Sequence, residues 1–457
     1  MPESGSRYAI SVTDLARTRD RSSRLDRHRV VRTSVHWFVA VTGLLALTSY
    51  ILVYELRLED QPIHADAFSY YLYLPSWLLY GDPSFETASL YCCEGGALPG
   101  ANRWPETGRW LDLVPIGVAV QMLPFFAAAD LLSRWSNMPR EGYSLYYQHG
   151  AGLAGLVYFL IGLAILRRFL LRHFSEGVVL ATLMTITFGT NLFHYGTFDS
   201  TFSHAYSFFL ITALMFLTER WWTEPRRSDA IALGVVSALI VLTRHPNAVF
   251  LALFPLYGVT RLRDLSTNAA ILWRRRESVA LIAAIGAACI SPQLVIYKRT
   301  TGHWIVNAYI HGGFTFASPH LLDVLFSVQK GLFFWSPALA LAVPGFFVAR
   351  GACRRLALPV VLIIAVHTYV VASWIVWYYG ASYGHRAFTD TLGLLAAFIA
   401  SFFAWVADRP RAAVMVAVAT SAAVVLSVLQ MIQYWNGVMP SGGPTWSQYR
   451  ALFLRFP

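Results

Sequence analysis

How LDLVPIGVAVQMLPFFAAADLLSRW, residues 111–135, is placed sets the topology of the whole chain. It is apolar enough to suggest a crossing, yet it holds Pro115 and Pro124, and Asp112 and Asp130 flank its apolar core. Eleven other apolar runs lie near 35–54, 144–166, 177–195, 203–221, 229–243, 246–260, 278–297, 333–349, 356–374, 387–406 and 411–433. At 1.5 Å rise per residue each spans a bilayer or nearly so. If 111–135 also crossed, Arg167, Arg168 and Arg172 would face outside and every later basic loop would invert. If it is an outer-surface or re-entrant helix, five basic loops fall on the cytoplasmic side together. They carry Arg167/Arg168/Arg172, Arg226/Arg227, Arg261/Arg263/Arg274/Arg275/Arg276, Arg350/Arg354/Arg355 and Arg409/Arg411. The expectation is eleven spans, with the N-terminus inside and the C-terminus outside.

Composition supports a polytopic membrane protein. Of 457 residues, 56% are hydrophobic and 13% charged, with a mean hydropathy of +0.49. A soluble domain carries about 25% charged residues. The net charge of +11 comes mostly from arginines clustered between apolar runs, which is a topology signal and not a nucleic-acid face. Residues 1–34 read as a basic, disordered cytoplasmic tail, and 35–433 as the membrane domain. No small-residue cleavage site follows the first run, so it reads as a retained helix. The proline of Arg244-His245-Pro246 predicts a tight outer hairpin between 229–243 and 246–260. Outer loops cover 57–143 and 299–332, and 434–457 forms an outer tail. The four cysteines make no disulfide framework; Cys92 and Cys93 read as ordinary thiols, since a vicinal bridge is strained.

The outer face gathers the residues suited to chemistry. Asp66 follows the first span in His64-Ala65-Asp66-Ala67-Phe68-Ser69-Tyr70-Tyr71. The next segment, FSYYLYLPSWLLY, suits a helix lying in the interface with its ring hydroxyls wet. Asp66 would either cap that helix or act as a base towards an acceptor hydroxyl, with Tyr70 and Tyr71 beside it. Asp199 sits at an outer turn, either capping the next helix or supporting the acceptor; His204, about one turn inside that helix, is either hydrogen-bonded within the bundle or faces an interior cavity as part of the donor-phosphate site. Arg244, Lys330, His385 and Arg386 are basic residues on the outside, against the inside bias. Each either snorkels or holds a phosphate. No Walker-type or Gly-x-Gly-x-x-Gly motif is present.

The order of further motifs carries a resemblance. It runs Tyr80-Gly81-Asp82, Pro115-Ile116-Gly117, Leu123-Pro124-Phe125-Phe126, then Phe188-Gly189-Thr190-Asn191-Leu192 and Ser203-His204-Ala205-Tyr206-Ser207-Phe208. Lys330-Gly331-Leu332-Phe333-Phe334-Trp335-Ser336-Pro337 and Ser382-Tyr383-Gly384-His385-Arg386 complete it. Over roughly 35–405 the chain resembles bacterial GT-C glycosyltransferases of the protein-mannosyltransferase and aminoarabinose-transferase type. The resemblance implies an all-α GT-C bundle with juxtamembrane helices at 67–80 and 111–133. It also implies a polyprenyl-phosphate-sugar donor and inversion at the anomeric carbon. The acceptor would be an envelope glycan, lipid or protein at the outer face of the bacterial cytoplasmic membrane.

In that family the first-loop acid matches Asp66, and a second acid matches Asp199. The paired first-loop acids that some members carry are reduced here to Asp66, followed by Ala67. A divalent cation (Mg²⁺ or Mn²⁺) is therefore not required by the sequence, and its ligands are unassigned. Two other classes compete with the enzyme reading. A transporter or flippase for a lipid-linked glycan would place its charges at mid-membrane and show repeat halves, which the sequence does not display. A non-catalytic scaffold would leave Asp66 and the outer cations unexplained.

Overall fold

The computed structural model describes residues 34–55, 61–93, 97–309 and 312–456, with backbone alone at 91–93. The expected basic tail, apart from Ser34, and the side chains of Cys92 and Cys93 lie outside the described residues. Among the described residues the named regular elements are helices, apart from one short hairpin.

Six helices are long and apolar enough to cross a membrane: Ser34–Tyr54, Leu145–Leu170, Arg276–Thr301, Gly351–Ser373, Arg386–Ala407 and Pro410–Trp435. Their burial separates core from rim. In the apolar stretch of Arg386–Ala407 78% of residues are buried, whereas in those of Arg276–Thr301 and Pro410–Trp435 only 6% are, at mean hydropathies of 2.2 and 2.4. Side chains such as Val414, Met415 and Val418 stand exposed along the last of these. Apolar helices this bare are stable only where lipid covers them. The chain is an all-α membrane protein.

The remaining five expected runs are less uniform. Ser203–Thr223 and Arg227–Thr243 are regular helices. The other three are broken. Run 177–195 divides into Glu176–Phe188 and Leu192–Thr197 around Gly189. Run 246–260 is a 3-10 segment, His245–Ala252, followed by Leu253–Leu256. Run 333–349 divides into Leu332–Trp335, Pro337–Leu341 and Ala342–Val348. Pro246 and Pro337 sit at the entrances of 3-10 segments, where a missing N–H costs little, and each deflects the chain. Run 111–135 does form a helix, Gly117–Trp135, but it is not among the six.

The helix Ala67–Leu78 departs from expectation. Its aromatic face is not wet. Nine of its twelve residues are buried. Its tyrosine hydroxyls donate inside the protein: Tyr70 to Ser203 Oγ (2.9 Å), Tyr71 to the Gly142 carbonyl and Tyr73 to the Val114 carbonyl (3.0 Å). Helix Gly117–Trp135 and its loop cover the segment, so the rings are core and not an interfacial belt. The hairpin, which nothing in the sequence reading anticipated, pairs Ala101–Arg103 with Trp110–Asp112. It brings Gly100 beside Leu113, whose N–H donates to the Gly100 carbonyl at 2.9 Å. Gly100 has φ +78°, and a Cβ there would stand 1.8 Å from Ser69 Oγ, so only glycine fits.

Charged groups sort to the two ends of the bundle. Arg172 and His173 meet Glu219, Arg275 donates to the Trp221 carbonyl, and His173, Arg350, Asp408 and Arg409 line one hollow of about 540 Å³. The helix Arg386–Ala407 runs from that end to Arg386 at the other, about 30 Å by helical rise. The arginine-bearing loops thus gather at one end, and Asp66 with its partners at the opposite one.

Candidate functional site

A cavity of about 690 Å³ opens at the Asp66 end. Two turns build its wall. Asp66 is the first, and its carboxylate makes no cap bond to the helix that follows it. It reaches Arg386 instead, Oδ2 to Nη1 at 2.8 Å. Ala65 makes this possible: its φ of +45° is left-handed, a conformation an alanine adopts at a cost of roughly 1–3 kcal/mol. That turn sends Asp66 into the cavity, while His64 turns towards Asp199. Tyr379, with φ +56°, is the second strained position, and its ring lies between Arg244 (5.8 Å) and Arg386 (5.9 Å). Tyr70, Tyr309, Phe314 and Trp374 supply the remaining aromatic wall.

Behind the cavity lies an anchor that the sequence reading missed. Asp390 is fully buried. Its Oδ2 accepts from Arg244 Nη1 (2.7 Å) and Asn247 Nδ2 (2.9 Å), and its Oδ1 from His204 Nδ1 (3.3 Å). The Asn247 amide also reaches Ser207 Oγ at 3.1 Å. Arg244 therefore lines the cavity in a fixed pose, paired from behind. His204 stands in the first turn of Ser203–Thr223, not a turn deeper, and serves Asp390 without reaching the cavity lining.

A second carboxylate network adjoins the first. Asp199 does not cap the following helix, whose N-cap is Phe202. Its Oδ2 accepts from His194 Nε2 (2.8 Å) and its Oδ1 meets His64 Nε2 (3.3 Å). The Trp435 indole N–H donates to His194 Nδ1 (2.8 Å), which fixes His194 as the Nε2–H tautomer. Burial pushes the Asp199 carboxyl up, but His194 and His64 override it and hold the group well below the usual carboxylate range. Asp199 thus stays ionised as a brace for the loop that carries Asp66, and is not in the cavity lining.

Three other expected residues lie elsewhere. Lys330 is 2% exposed and donates to the carbonyls of Ser382 and Ser441, so it holds backbone and not an incoming phosphate. His385 is buried between Tyr379 and Phe388. Tyr71 is spent on Gly142. None of the three lines the cavity; Asp66, Tyr70, Arg244 and Arg386 do. No family model matches the chain, and no curated protein matches it. Among the described residues no group of three or more His, Cys, Asp or Glu is arranged to hold a metal ion.

Lys330 carries a pH dependence. Burial first, and Arg386 second, push its ammonium from 10.5 down to about 7, with Asp199 opposing. Between those values the unfolded lysine holds a proton that the folded one releases, so folding gains stability as pH rises through the window. The difference in unfolding temperature between wild type and Lys330→Met should move in favour of wild type from about pH 7 to about pH 10. A flat difference would show the ammonium charged in the fold.

Proposed function

We propose that the protein is an inverting, polyprenyl-phosphate-sugar-dependent glycosyltransferase of the GT-C type, crossing the cytoplasmic membrane eleven times with its cavity at the outer face. The observation that carries the reading is the pairing of Asp66 with Arg386 in the wall of an aromatic-lined cavity. One guanidinium, with Arg244 beside it, suits the phosphodiester of a lipid-linked sugar. The aromatic walls suit a sugar ring and the first isoprene unit. The acceptor is a hydroxyl of an envelope glycan, lipid or protein.

In the reaction, the acceptor oxygen attacks the anomeric carbon opposite the phosphate. The bond from that carbon to the phosphate oxygen breaks, and Asp66 takes the hydroxyl proton. The leaving group is already an anion, and Arg386 and Arg244 stabilise the charge it gains. An aspartate is a weak base near neutral pH, so positioning supplies most of the rate. Sorting of the arginine-bearing loops to the opposite end supports the cytoplasmic assignment of that end.

The test is transfer by the purified full chain in liposomes that contain polyprenyl-phosphate sugars. Arg386→Ala should raise the donor concentration needed for half-maximal rate by about 10- to 100-fold, as expected for loss of charge-assisted hydrogen bonds. An unchanged donor dependence would remove Arg386 from the phosphate site.

A further inference from the structure

The proposed reaction needs Arg386 on the donor phosphate and Asp66 on the acceptor hydroxyl, yet these two side chains hold each other at 2.8 Å. We propose that this pair is a resting lock that the donor opens: Arg386 exchanges Asp66 for the donor's phosphate, and Asp66 becomes available to an acceptor only once the donor is seated. The proposal rests on the reading of this cavity as a polyprenyl-phosphate site.

Three observations carry it. The partners are unequal: the Asp66 side chain is 48% exposed and that of Arg386 13%, so the carboxylate is the one that can swing into water. Arg244 keeps its own counter-ion, since its Nη1 is tied to Asp390, a carboxylate with no solvent exposure, so Asp66 is the partner that a phosphate displaces. Charge also balances around the cavity, with Arg244 and Arg386 facing Asp390 and Asp66. A phosphate adds a negative charge that is matched only when Asp66 leaves Arg386. Asp66 has no cap bond to its own helix to retain it there.

The exchange has two consequences. Addition is ordered, donor first, so no acceptor hydroxyl is activated beside an empty donor site. After transfer, Asp66 competes with the polyprenyl phosphate product for Arg386 and helps to displace it.

The test is binding of farnesyl phosphate, which carries no sugar, to the purified full-length protein. An ion pair whose carboxylate is half-exposed is worth up to about 1 kcal/mol, so Asp66→Asn and Asp66→Ala should each bind this probe about two- to fivefold more tightly than wild type. Arg386→Ala should bind it more weakly. The double variant Asp66→Asn/Arg386→Ala should match Arg386→Ala, because the gain passes through Arg386. Wild-type or weaker binding by both Asp66 variants would overturn the lock while leaving the phosphate site standing. Absence of binding by wild type would remove the phosphate site and the lock with it.

Discussion

Asp66→Asn is expected to lower sugar transfer by about 10²- to 10⁴-fold, the usual contribution of a positioned general base. The change keeps the size of the side chain and removes only the charge that takes the proton. Stability should hardly move. The Asp66 side chain is 48% exposed, and a pair of that kind contributes about 1 kcal/mol or less. The assay is the initial rate at saturating donor and acceptor, alongside the unfolding temperature of the same preparation. A rate within tenfold of wild type would remove Asp66 as the base. A lost rate with a collapsed unfolding temperature would make Asp66 a structural residue.

The largest stability effect is expected at Asp390. Asp390→Ala strands Arg244 with no counter-charge and leaves Asn247 and His204 without their common acceptor. Loss of one partner from a buried pair costs about 3–5 kcal/mol. Asp390→Asn keeps a hydrogen-bond acceptor and should cost less. Thermal unfolding in detergent should order the three proteins as wild type, Asp390→Asn, then Asp390→Ala. Because Arg244 lines the cavity, both variants should also weaken donor use before they unfold. An Asp390→Ala protein as stable as wild type would mean that the buried network carries no net energy.

Asp390 also shows where sequence reading fell short. It sits in Thr389-Asp390-Thr391 at the start of an apolar run, and an ionisable residue in such a run is a reason to look for a partner. The same signal marks His204, and Arg244 stands out as an outer cation, but neither says that they meet at Asp390. Arg244, Asn247 and His204 come from two distant parts of the chain, and no spacing rule joins them to position 390. His64 and His194 are similar. Each looks unremarkable in its local sequence, and both acquire a role only because Asp199 lies between them. Lys330 went wrong for the opposite reason. Its local sequence marks it as an outer cation, but packing turns its ammonium towards two carbonyls.

By itself the sequence determined the helical membrane class, because long apolar runs must satisfy their backbone groups internally wherever they meet lipid. It determined the positions of all six long helices, and it marked Asp66, Tyr70, Arg244 and Arg386 as residues of interest. The tertiary structure alone decided which outer residues share a cavity. Pairing depends on where broken helices and left-handed turns aim side chains, as Ala65 does for Asp66 and the segment starting at Arg386 does for its guanidinium. Those directions come from contacts between segments more than a hundred residues apart, and periodicity within one segment carries no record of them.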